Sequence, residues 1–124
     1  MSDDLFDTQQ VLNDVVEGVR EILSEQNPKL RSFIRSQTRG AIEFGALITD
    51  GVAKGEITPA QQAAYLIQLE DMITAAAYTV AGSIIAIVEA IWNKMVDIIW
   101  SAINSVLTTV INTSLPLPVF GEDN

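Results

Sequence analysis

Beyond Pro59 the chain runs to Ser114 without another proline, and the one glycine in that stretch is Gly82. The stretch opens Thr58-Pro59-Ala60-Gln61. A threonine hydroxyl can accept from the first free helical N–H groups, proline suits the first helical position, and glutamine three residues after threonine completes a capping box. The next clear stop signals are Pro116 and Pro118. A single helix of that length would be roughly 80 Å long at ~1.5 Å per residue, against about 30 Å for the diameter of a small domain. Either the helix projects into something larger, or it folds back where no usual turn signal is written. The spacing predicts one long apolar helix over 59–113, straight or kinked.

Two patterns run along that helix. From Met72 to Val88 there is no charged residue, and with Glu89 allowed near one end the segment extends to Trp92. That is about twenty residues, close to the span of a bilayer core. Trp92-Asn93-Lys94 then resembles an interfacial boundary. A line of polar or small positions follows at gaps of three and four, with Glu89, Asn93, Asp97 and Asn104 as its chemically distinct members. Ile84, Ile87, Ile91, Ile98 and Ile103 lie on the other faces and form the expected assembly interface. The polar line is expected to face water, a lumen or a neighbouring subunit. Gly82, Ala86 and Ala90 make a small-residue ladder of the kind that lets helices approach closely. Trp92 and Trp100 read as anchors of a core or an interface.

Before this segment the chain reads as a helical hairpin behind an acidic lead, residues 1–7. Asp7 or Thr8 can cap a first helix over about 8–26, whose stripe of Leu12, Val15, Val16, Val19, Ile22 and Leu23 falls at helical spacing. Asn27-Pro28 ends it and starts the next one. The second helix is expected to run to Ala53 or Lys54 and stop at Gly55, a natural left-handed terminator. Gly40, Gly45 and Gly51 within it predict either a break near Gly40 or a close approach by another helix. Arg31, Arg35 and Arg39 are four apart and make a basic ladder on one face. The expected role is a solvated face paired with the acidic first helix, with anionic lipid or an acidic subunit as the alternative. After Ser114, Leu115-Pro116-Leu117-Pro118-Val119-Phe120 must be extended, and its four apolar residues suggest that it docks on a groove.

Composition narrows the chemistry. The chain has no cysteine and no histidine, which removes thiol nucleophiles, disulfides, histidine bases and most zinc sites. Sixteen acidic residues against seven basic ones give a net charge of -9, and an acidic surface repels phosphate backbones, so nucleic acid is not an expected partner. The acidic start Met1-Ser2-Asp3-Asp4 does not resemble a secretory signal. Glu70-Asp71 are adjacent on a helix and point apart, which suits no acid–base pair. The glycines fit neither a phosphate-binding loop nor a dinucleotide fingerprint. No catalytic, cofactor or metal site is expected.

The resulting expectation is an all-α chain in two parts. Residues 1–57 form the amphipathic hairpin, and residues 58–124 form the long apolar helix with its extended proline-containing tail. The expected role is non-enzymatic and structural. The chain would be a subunit that self-associates through its long helix, in a larger particle or with 72–92 in a membrane. Its partners would be copies of itself, other subunits or membrane lipid. Small chains of this character occur in viral particles and membrane pores, a likeness of type alone. The competing expectation is a soluble helical adaptor whose long helix breaks near Gly82 or Asn93 and folds back into a four-helix bundle.

Overall fold

Residues 6–24, 28–82 and 84–121 are described by the structure, a computed structural model. Helix α1 spans Thr8–Leu23. The Asp7 carboxylate caps it by accepting from the Gln10 N–H at 3.1 Å, the role expected of an acidic N-cap. It stops short of the expected 26 because Ser24 turns left-handed at φ 54 and donates its N–H back to the Arg20 and Glu21 carbonyls. The expected Asn27 cap lies outside the described residues.

Helix α2 spans Pro28–Ala53 and passes through Gly40, Gly45 and Gly51 without a break. Of the two roles expected for these glycines, approach by other helices applies at Gly45, where a Cβ would meet Ile99 at 3.5 Å and Leu69 at 3.8 Å; the close neighbour of Gly51 is a loop residue instead. A Cβ there would collide with the Ile57 side chain, which folds back over the helix from the following loop. Gly55 follows the helix with φ 73, a conformation glycine adopts at no steric cost.

Helix α3 spans Pro59–Ala81 and carries the full capping box. The Gln61 N–H donates to Thr58 Oγ1 at 3.2 Å, and the Thr58 N–H donates to Gln61 Oε1 at 2.9 Å. The helix does not continue to 113. Gly82 takes φ 78 and ψ -140, a combination open to glycine and strained for any residue with a Cβ. Ile84 is extended, and helix α4 begins at Ile85 and runs to Ile111. The stretch expected as one long helix is thus two helices, and the apolar run 72–92 is divided by the turn rather than forming one rod. Folding back costs a few helical hydrogen bonds. It gains the burial of Val88, Ile91, Met95, Ile99 and Ile103 on α4, each worth about 1.5–3 kcal/mol when fully removed from water.

The four helices run up, down, up and down. Glu17 faces Arg31 and Asn13 faces Arg35, so α1 and α2 are antiparallel. The Phe44–Tyr65 ring pair sets α2 against α3 in the same sense, and the Trp92–Thr74 hydrogen bond does so for α4 and α3. Helix α1 packs on α2 and α4, α3 packs on the same two, and α2 meets α4 across the diagonal. A single core draws on all four, with Leu12, Ile34, Ile42, Leu69, Ile73 and Trp100 among its most enclosed side chains. Its two buried polar residues, Thr38 and Thr49, donate to the Ile34 and Gly45 carbonyls one turn back.

Residues 113–119 are neither helix nor strand. They run back along the seam between α3 and α4, against Leu66, Glu70 and Trp100. Leu115 exchanges two hydrogen bonds with the Asn104 side chain, at 2.7 and 3.0 Å. Five residues on, Phe120 meets Trp92 edge to face, with ring centres 5.4 Å apart.

Candidate docking surfaces

The bundle has two unlike ends, and unequal helix lengths create the first. Helix α1 has 16 residues, whereas α2 has 26 and α4 has 27. Beside the start of α1, Phe6 and Thr8 are the described residues that line the far ends of α2 and α4 on that side. An open groove of about 480 Å³ remains, walled by Phe6, Ala46, Ala53 and Val106. On its rim Leu47 is 69% exposed, Val110 47% and, beside it, Ile111 41%. Charge at the rim is muted because Lys54 Nζ lies 3.2 Å from Asp50 Oδ2.

The second end is the α3–α4 turn. Tyr78, Ile84 and Ile85 are exposed there. Between Asp71 on α3 and Glu89 on α4 no residue carries a charge. The N-terminal turns of α2 arrive at the same end, bringing Lys29, Arg31 and Phe33.

The five isoleucines expected as an interface are not brought together on one outer face. Ile91 and Ile103 lie in the core, Ile87 and Ile98 are half-buried against it, and of the five Ile84 alone is exposed. Glu89, Asn93 and Asp97 share the solvent face of α4. Asn104 departs from that line in its work, since both ends of its amide hold the Leu115 backbone. In the basic ladder, Arg31 pairs with Glu17, which also binds Arg20 at 3.1 Å. Arg35 donates to Asn13 Oδ1 at 3.3 Å, and Arg39 is exposed further down α2. Two of its three rungs therefore reach the first helix.

Three features escaped sequence reasoning. The groove had a signal in the shortness of the first apolar stripe relative to the other helices. The Asn104 clamp had none, because it joins residues eleven apart through a reversal of the chain. The third is the Trp92 indole, whose N–H donates to Thr74 Oγ1 at 3.0 Å while that hydroxyl donates to the Glu70 carbonyl at 2.9 Å. Among the described residues no three acidic side chains gather as a metal site would require, and no buried side-chain polar atom lacks a partner.

Helix α4 is long and apolar enough, by length and composition, to cross a membrane. Here one side of it is the centre of the bundle, and its outward positions include the polar line. No protein-family model matches the chain, and neither curated proteins nor solved structures give a match.

Proposed function

We propose that the chain is a non-enzymatic structural subunit that self-associates through the groove end of its bundle. The observation that carries this is the patch formed by Leu47, Val110 and Ile111 beside the 480 Å³ groove. A knob next to a hole of similar apolar character is self-complementary. A second copy turned by a two-fold axis can seat its knob in the first copy's hole and receive the first knob in return. Apolar patches of a few hundred Å² on small chains commonly mark such contacts. The proposed interface thus involves the C-terminal end of the apolar segment rather than its whole length.

Sedimentation equilibrium over a range of concentrations tests it. The parent chain is expected as a dimer or larger. The double variant Leu47→Asp with Val110→Asp is expected as a monomer with an unchanged circular dichroism spectrum, since both positions are exposed. A parent chain that stays monomeric at every concentration overturns the proposal.

One observation favours a second reading, the monomeric helical adaptor. Ile91 and Ile103 are already covered by the chain's own helices, and Glu89, Asn93 and Asp97 face outward. On that reading the groove receives a helix or an extended apolar segment from another protein. A monomeric parent would leave it standing.

A further inference from the structure

We infer that copies of this chain exchange their tails, each laying its segment 113–121 into the α3–α4 seam of the other. Among the described residues, every buried apolar side chain lies between Phe6 and Leu107, so the bundle closes without the tail. What the tail adds is the half-buried pair Leu115 and Phe120, while Leu117 and Val119 stay exposed. It is held as a bound peptide is held. The Asn104 amide accepts the Leu115 N–H and donates to the Leu115 carbonyl, contacts that read the backbone and not the side chain. Phe120 then meets the Trp92 ring. Pro116 and Pro118 have no N–H to satisfy and stiffen the span between these anchors. Asn104 and Trp92 are twelve residues apart on α4, about 18 Å at 1.5 Å per residue, and the five residues from Leu115 to Phe120 reach that far only when extended.

The hinge favours exchange. Past Ile111, Asn112 takes φ 55 and ψ 45, a left-handed conformation that a residue with a Cβ adopts at a cost, asparagine at less than most. Thr113 is then folded back, its N–H on the Leu107 carbonyl at 3.3 Å and its own carbonyl accepting from Thr108 Oγ1 at 3.2 Å. Leu115 is already on its clamp, so 112–114 make the whole reversal. Short hinges held in a strained turn are the ones that open to join two copies. An exchanged tail makes the same contacts on the second seam as on its own. The balance therefore falls to the hinge, which relaxes to an extended backbone, and to the nearness of the second copy. That nearness is set by where the hinge stands. It follows directly on Val110 and Ile111, the exposed pair of the proposed self-contact. In the second copy the Asn104 clamp lies seven residues before Ile111, about 10 Å along α4, and three extended residues span about 10 Å.

The inference rests on self-association at the groove end, and its test separates the two. The chain has no cysteine, so single ones can be placed at will. Val119 and Glu70 line one pocket beside the seam. Chains carrying Val119→Cys are mixed with isotope-labelled chains carrying Glu70→Cys, incubated, and treated with a short bis-maleimide. Mass spectrometry then reads which chains are joined. Tail-to-seam crosslinks between a light and a heavy chain are expected. They should fall severalfold when the Glu70→Cys chain also carries Asn104→Ala. With both cysteines in one chain that also carries Leu47→Asp and Val110→Asp, the crosslink is expected within the chain, since the tail closes on its own seam when the copies part. Sedimentation of the same mixtures gives the oligomeric state. Thermal melting confirms that each variant is folded, and Leu66→Cys replaces Glu70→Cys where the latter is not. A dimeric mixture without light–heavy crosslinks, or with crosslinks indifferent to Asn104→Ala, overturns tail exchange and leaves self-association standing. A monomeric parent overturns self-association and the exchange with it.

Discussion

At single positions, the strongest determinants are polar atoms with one partner each. The Trp92 ring is 3% exposed, and its N–H has Thr74 as its hydrogen-bond partner. Thr74→Val keeps the shape and removes the acceptor. An orphaned buried donor costs about 1–3 kcal/mol, so the variant should melt measurably lower, with a shifted tryptophan emission. Gly40 makes the opposite case. It lies exposed in mid-helix, and a Cβ there would meet only the Met72 methyl at an ordinary 3.6 Å. Gly40→Ala should therefore stabilise the fold by about 0.5–1 kcal/mol. At Gly55, where φ is 73, a Cβ also finds open space, yet Gly55→Val should cost about 1 kcal/mol or more, because the backbone and not the neighbourhood forbids it. Urea titrations of the two variants should move in opposite directions.

Among the helices, those with local signals were legible and those set by distant contacts were not. Thr58, Pro59 and Gln61 specify the start of α3 by interactions within one turn, and Pro28 and Gly55 bracket α2 in the same way. The turn at Gly82 has no polar loop residues around it. A lone glycine in apolar sequence is compatible with either a helix or a turn, and the choice falls to packing that only the other helices supply. The tail belongs to the same class. Its prolines dictate an extended backbone, but its place depends on Asn104, a residue that otherwise reads as one more member of a polar line. Asn104→Ala removes both hydrogen bonds to Leu115. Limited proteolysis should then cut within 112–121 several times faster, while helix content stays constant. Equal cutting rates would mean that the packing of Leu115 and Phe120 holds the tail without the Asn104 hydrogen bonds.

At the scale of the molecule, the all-helical class was legible because stripes of period near 3.6 recur along the chain. The candidate surfaces were not, because exposure belongs to the assembled bundle. Ile84 and Ile103 look alike in sequence, yet one stands at a tip and the other is fully enclosed. The difference predicts unequal responses to the same change. Ile103→Asp places an unpaired charge in the core and should cost about 4 kcal/mol or more, a large share of the roughly 5–15 kcal/mol that holds a domain folded. Ile84→Asp should leave the melting temperature within a degree or two, since surface changes rarely exceed about 0.5 kcal/mol. The backbone at Gly82 carries one more consequence. Its φ of 78 and ψ of -140 are the mirror image of an ordinary extended conformation. A right-handed amino acid would be at ease there, where every left-handed one is strained. Chemical synthesis with D-alanine at position 82 should stiffen the reversal and raise stability by about 0.4–1 kcal/mol, while L-alanine at the same position lowers it. Chirality at one atom would then set how firmly the reversal between the last two helices is held.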